Sequence, residues 1–259
     1  LFGNSLSAIS GGRFATVPGG VLVCDDDGHV IGAVGVTGDT SARDEFTAIS
    51  GIKSAGYEYV AWGTRHQNSS GERVPVMPQD APPTKARELG ERCRDMGLKP
   101  LMMFSTVYPE KPEGLKVLTN RLRQASAAGV PQVLTFGHTE GGNRKIWTER
   151  FTKLGPIARD LDVLLVVKQH GGSTGTGEAC AEIVRDVDDA GGMVNYDAGN
   201  VMDYLNVDPI PDIKKCADVV RSFCIKDHRN WPNPKHAEYS ACRNIVSVGL
   251  NIVSAGRNI

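Results

Sequence analysis

The chain has 259 residues, 40% of them apolar, enough to enclose a sizeable core in one large domain or two small ones. Its 29 basic and 30 acidic side chains give a formal net charge of -1, so no bulk field draws it to nucleic acid or an anionic membrane, and small neutral or anionic metabolites fit better. Six cysteines, Cys24, Cys93, Cys180, Cys216, Cys224 and Cys242, lack C-x-x-C spacing, which argues against a zinc knuckle, redox motif or disulfide framework, while no apolar run approaches the ~20 residues of a membrane span.

Residues 1–56 read as a hairpin followed by a helix. Val17-Pro-Gly-Gly-Val-Leu-Val23 turns into a short strand, Asp25-Asp-Asp-Gly28 is a hairpin-type turn, and Val30–Val36 is the returning strand. Asp39-Thr-Ser41 then caps a helix towards Ala55.

From Tyr57 the pattern changes to apolar run, polar loop and amphipathic stretch, repeated, which predicts parallel βαβ units. Strands are expected at Tyr57–Trp62, Pro100–Phe104, Gln132–Phe136, Val163–Val167, Met193–Tyr196 and Ser222–Ile225. Helices are expected at Thr84–Met96, Gly114–Ala128, Lys145–Asp160, Gly177–Asp189 and Pro211–Val219. Thr84 is the expected cap of the first helix, Gly97 its left-handed exit, and Gly129 with Pro131 ends the second. The glycine-rich loop Gly171–Gly177 would leave backbone amides open to an anion at the next helix start. The tail repeats Asn244-Ile-Val-Ser-Val-Gly against Asn251-Ile-Val-Ser-Ala-Gly, which reads as a frayed or aggregation-prone end without catalytic content.

Three successive apolar runs close on polar residues: Lys168-Gln-His-Gly-Gly172, Asn195-Tyr-Asp-Ala-Gly-Asn200 and Ser222-Phe-Cys-Ile-Lys-Asp-His228. Polar residues gathered at strand exits are how a parallel α/β barrel builds an active site, so an enzyme is the leading reading.

On these motifs, together with Ala55-Gly-Tyr-Glu-Tyr-Val-Ala-Trp62, residues from about 57 to 231 resemble the sugar phosphate isomerase/epimerase family of xylose-isomerase-like TIM barrels. The first 56 residues resemble the C-terminal half of the GlcG/HbpS-type haem-binding family, through Gly11-Gly-Arg-Phe-Ala-Thr-Val-Pro-Gly-Gly20 and Val30-Ile-Gly-Ala-Val-Gly-Val-Thr-Gly-Asp-Thr-Ser41. The expected organisation is therefore a partial GlcG/HbpS-like segment over 1–56, an incomplete TIM-barrel-like α/β unit over 57–232 and a tail over 233–259. Val30–Val36 could stand in as a first barrel strand, and Asn244–Val248 or Leu250–Val253 as a late one.

The first resemblance implies isomerisation or epimerisation of a sugar or polyol through an enediolate, beside manganese, magnesium or zinc. Of the family's metal ligands only Asp197 has a clear match. Lys168 stands where many relatives carry a ligand glutamate, Cys224 where many carry a histidine, and the final glutamate has no counterpart. A protonated ammonium cannot ligate a cation, so the metal site reads as degraded.

The residues themselves then divide the work. Lys168 can supply positive charge to an enediolate oxygen, or act as a base if desolvated. His170 is the expected proton carrier. Asp197 and Asn200 would orient hydroxyls, and Lys226 and Asp227 would bind the polar end of a substrate or simply pair with each other. His138 and Glu140, after the fourth barrel strand, are further substrate-binding candidates or a plain polar loop. Cys224, Trp62 and Trp147 read as core. A sugar or polyol is the expected ligand, with further copies of the chain in a homo-oligomer, and with no nucleic acid, no membrane and a cytoplasmic setting. The alternative reading is non-enzymatic ligand binding, by a haem-binding module or an inactive barrel.

Overall fold

The computed structural model describes residues 21–24, 30–34, 58–63, 66–67, 73–74, 76–138 and 143–224. At the N-terminal end, β1 (Val21–Cys24) and β2 (Val30–Val34) form an antiparallel two-stranded sheet, with Val21 opposite Val34. This is the predicted hairpin. It also corrects one expectation: β2 is not a strand of the parallel sheet, because its described partner is β1.

Strand and helix then alternate. After β3 (Tyr59–Trp62) comes a small antiparallel pair, β4 (His66–Gln67) with β5 (Arg73–Val74), which sequence reading missed. There follow α1 (Pro83–Asp95), β6 (Lys99–Phe104), α2 (Gly114–Ala128), β7 (Gln132–Phe136), α3 (Arg144–Asp160) and β8 (Leu164–Lys168). The described chain ends with α4 (Gly177–Val187), β9 (Gly192–Asp197), α5 (Ala198–Leu205), α6 (Pro209–Lys214) and β10 (Val220–Cys224).

Six strands make one parallel sheet in the order β10-β9-β8-β7-β6-β3. That is strict chain order, the signature of a barrel wall rather than of a doubly wound sheet, whose order reverses at its centre. Among the described residues the wall is an incomplete barrel, two strands short of the eight that close one.

Strand alternation separates its two faces. Leu165 and Val167 turn to the helices, where they join Leu118 and Leu122 of α2, Trp147, Phe151 and Leu154 of α3 and Ile183 of α4 in the main core. Val166 faces the other way, into a smaller cluster with Met102, Leu134 and Cys224 that lines the concave side. Cys224, Trp62 and Trp147 are thus core residues, as expected. Full burial of each large apolar side chain contributes roughly 1.5–3 kcal/mol, so the helix layer carries most of the stabilisation.

Helix ends follow local chemistry with one exception. Gly97 (φ 76°) and Gly129 (φ 68°) provide the left-handed exits of α1 and α2. The exception is Thr84, which lies inside the first turn of α1; the cap position is Pro82 and no side chain caps it. Pro83 opens that helix because a missing N–H costs nothing at the first position. Arg121 of α2 is buried and holds the segment before α1, giving hydrogen bonds to the Met77 carbonyl at 3.0 Å and to Gln124 Oε1 at 2.8 Å. Desolvation lowers its pKa to about 10. No helix among the described residues is long and apolar enough to cross a membrane.

Candidate active site

The period of two carries the site residues onto the concave face. Lys168 follows Val166 by two positions, Asp197 follows Asn195 by two, and Cys224 follows Ser222 by two. Register then sets them side by side: Lys168 is opposite Phe136 on β7 and Asn195 on β9, and Asp197 is opposite Cys224 on β10. Polar groups therefore cluster at the C-terminal strand ends above an apolar floor.

Lys168 Nζ donates to Asp197 Oδ2 at 3.0 Å. Asp197 is 0% exposed and Lys168 8%, so the pair is desolvated and each charge depends on the other. Removing one partner of such a pair costs about 3–5 kcal/mol, because the remaining charge is stranded. Asp197 has a second task, since its Oδ1 accepts from the Asn200 backbone N–H at 2.9 Å and so caps α5. Its own N–H donates to Gln169 Oε1 at 2.6 Å. Lys168 Nζ also lies 5.8 Å from the centre of the Phe136 ring, within cation–π range.

Asn200 is buried, and its Nδ2 donates to the Gln169 carbonyl at 2.6 Å. It ties α5 to the exit of β8. His170 follows in that exit: Nδ1 meets the Gly137 carbonyl at 2.9 Å and Nε2 meets the Tyr204 hydroxyl at 3.2 Å. Its ring sits 4.8 Å from Phe136, 5.0 Å from Tyr204 and 6.1 Å from Tyr108. Tyr108 also stands 5.0 Å from His138 and 5.6 Å from Phe136. Among the described residues the mouth is thus walled by aromatic rings, with the Lys168 ammonium at its base.

His138 joins this wall after β7. Beside it, Glu110 Oε1 accepts from Trp147 Nε1 at 2.6 Å and from the His138 N–H at 3.4 Å. Glu110 Oε2 is buried with no hydrogen-bond partner among the described residues. One layer below Asp197 on the same strand, Asn195 Nδ2 donates to Ser222 Oγ at 2.7 Å. Of the remaining candidates, Glu140, Lys226 and Asp227 lie outside the described residues, as do the Asn244–Val253 strand candidates. Tyr204, Tyr108, Gln169 and Glu110 were missed. Only Tyr204 left a usable signal, its i+4 spacing from Asn200.

The expected anion site at the start of α4 is overturned. Gly177 and Glu178 N–H groups donate to the Asp212 carboxylate at 2.7 and 3.4 Å, and the Thr176 hydroxyl takes the Ala179 N–H at 3.0 Å. Asp212, 4% exposed and also bound by the Tyr196 hydroxyl at 3.0 Å, already fills the position a ligand would occupy.

A divalent cation fits the described donor set poorly. No three His, Cys, Asp or Glu side chains converge among the described residues, the Lys168 ammonium already engages Asp197, and Cys224 is buried in an apolar cluster. An ammonium and a metal ion would compete for the same carboxylate.

Residues 2–53 match the family model described as haem-degrading protein HbpS-like. No curated protein matches the sequence. Among solved structures, a xylose isomerase-like TIM barrel protein from Mycobacterium smegmatis, in complex with magnesium, aligns at 17% identity with a TM-score of 0.59, covering 80% of this chain and 72% of that one. A xylose isomerase domain containing protein from Salmonella typhimurium LT2 aligns at 13% identity and a TM-score of 0.58, covering 78% and 73%. An L-ribulose 3-epimerase aligns at 14% identity and 0.57, covering 75% and 69%. The chain spans about two thirds of the length of the structures it matches, from 61% of one to 73% of another. Its incomplete barrel has the fold of the xylose-isomerase-like TIM barrels, preceded by an HbpS-like segment.

Proposed function

We propose that the mouth at the C-terminal strand ends binds a sugar or polyol and catalyses proton transfer α to its carbonyl, as an isomerase or epimerase. The observation that carries this is the desolvated Lys168–Asp197 pair, with Lys168 and His170 both packed against the Phe136 ring. Enediolate formation needs a proton acceptor near the carbon and positive charge near the developing oxyanion. Lys168 supplies the charge in a low-dielectric setting, where a fixed ammonium counts for more than in water. His170 supplies the acceptor.

Phe136, Tyr108 and His138 offer ring faces to the C–H face of a sugar, while Glu110 Oε2 is a hydroxyl acceptor beside His138. Asp197 holds Lys168 in place, and Asn200 fixes the strand exit. The likeness to an L-ribulose 3-epimerase supports a ketose as the substrate. Lys168 takes over the electrostatic role that a metal plays in relatives, so turnover proceeds without added metal. The working unit is residues 57–232, with 1–56 as an attached segment.

The test is incubation of the protein with a ketose panel, following interconversion by chromatography. Interconversion lost in both Lys168→Ala and His170→Ala supports the assignment; unchanged turnover in both variants sinks it. A second reading, haem binding, is favoured by the HbpS-like match over residues 2–53. A Soret band on haem titration of the full chain, with no ketose interconversion, would select it.

A further inference from the structure

We infer that Gln169 is the positioning residue of the Lys168–Asp197 pair, holding Asp197 from behind the sheet while Lys168 holds it from the front. Its effect on turnover rests on the isomerase reading above; its geometry stands on hydrogen bonds alone. Strand alternation sends Lys168 to the concave face with Val166, and carries the next side chain, Gln169, towards the helix layer with Val167. There the thiol of Cys180, a helix-side core residue of α4, lies beside its amide. Both neighbours reach the same residue. Lys168 Nζ donates to Asp197 Oδ2 at 3.0 Å, and the Asp197 backbone N–H donates to Gln169 Oε1 at 2.6 Å. Two more buried bonds close the frame: the Gln169 carbonyl accepts from Asn200 Nδ2 at 2.6 Å, and Asp197 Oδ1 accepts from the Asn200 N–H at 2.9 Å. With its backbone pinned and Oδ1 committed to α5, Asp197 presents Oδ2 to the ammonium.

The chemistry of position 169 separates this role from packing. Gln169 is 0% exposed, where an apolar side chain would fill the layer without loss. Its Nε2 is buried with no hydrogen-bond partner among the described residues, and the neighbouring thiol is at most a weak acceptor. A buried donor left in that state is destabilising, so the amide is not kept for the stability of the layer. What it supplies is an uncharged acceptor for the Asp197 N–H. The pairing of β8 with β9 runs only as far as Lys168 with Asn195, so the ladder does not extend to that N–H. A glutamate would set a second carboxylate near Asp197, and a methionine would leave the N–H without its acceptor. A local rule broken without gain in stability is what a functional position looks like.

Gln169 therefore acts through Asp197 and not on the substrate. A shift of Asp197 carries the Lys168 ammonium away from the developing enediolate oxygen, which slows the chemical step and leaves ground-state binding alone.

Amide hydrogen exchange of the unaltered protein, followed by NMR, tests the geometry. The Asp197 N–H should exchange as slowly as the ladder amides of Val166 and Val194; rapid exchange overturns the inference. Gln169→Met, similar in volume and without the amide acceptor, should speed exchange at Asp197 and leave Tm nearly unchanged, because one orphaned donor replaces another. Gln169→Glu keeps an acceptor and should keep Asp197 protected. In Gln169→Met the rate constant for C–H exchange of saturating L-ribulose in deuterated water should fall on the order of 100-fold with little change in KM. An undiminished rate, a raised KM at constant kcat, or a variant that unfolds or loses rate only in step with its folded fraction overturns the positioning role. No exchange by the unaltered protein sinks the isomerase reading instead, while protection of the Asp197 amide still decides the hold on that residue.

Discussion

Two buried carboxylates, Asp197 and Asp212, cap helices with the same chemistry and do different work. Asp212 takes the first N–H groups of α4 and the Tyr196 hydroxyl, has no ion pair among the described residues, and lies on α6. Its neighbours show the effect of enclosure: desolvation, with Asp212 beside it, pushes the Cys216 thiol up to about 12 and the Tyr196 phenol well above its ordinary range. Asp197 takes one N–H of α5 but turns its other oxygen to the Lys168 ammonium at the strand ends, beside the ring of Phe136. Burial and hydrogen bonding are common to both. What sets the proposed site apart is a desolvated charge pair at the C-terminal strand ends.

The comparison can be broken at several points, the largest effect first. Lys168→Ala should lower turnover by 10² or more, as loss of an oxyanion-stabilising group does, whereas Asp212→Asn should leave the turnover number within a few-fold. In stability the ranking changes. Asp197→Ala strands the Lys168 ammonium and should cost about 3–5 kcal/mol, read by denaturant unfolding. The double variant Lys168→Met with Asp197→Leu should recover much of that stability and none of the activity. Asp212→Ala leaves buried donors on Gly177 and Tyr196 and should cost about 1–3 kcal/mol. Gly129→Ala, far from both carboxylates, forces a side chain into φ 68° and should cost about 1–2 kcal/mol. Arg144→Ala removes exposed pairs with Glu182 and Asp186 and should change stability by about 0–1 kcal/mol.

Much of the wall was legible because each strand is an apolar run and each helix carries an apolar face. All six strands were predicted within two residues at each end, and Gly97 and Gly129 marked real helix exits because a left-handed exit favours glycine. Helix α5 was missed. Ala198-Gly-Asn200 reads as a loop, and its helix begins at Asp197, a local cap that was read only as a site group. With α5 unseen, Tyr204 was unseen too. The α4 anion site failed for a related reason: the loop sequence exposes amides, but nothing local says that Asp212, 35 residues on, fills them. Lys168 and Asp197 were both identified at strand ends, yet only parallel register brings residues 29 apart into a 3.0 Å pair.

The sharpest trial of the account is metal dependence at the mouth. Protein stripped with a chelator and assayed for ketose C–H exchange in deuterated water should retain its full rate and lose it on Lys168→Ala. A rate that vanishes on chelation and returns with magnesium or manganese would contradict the assignment of Lys168 as the group that stabilises the enediolate.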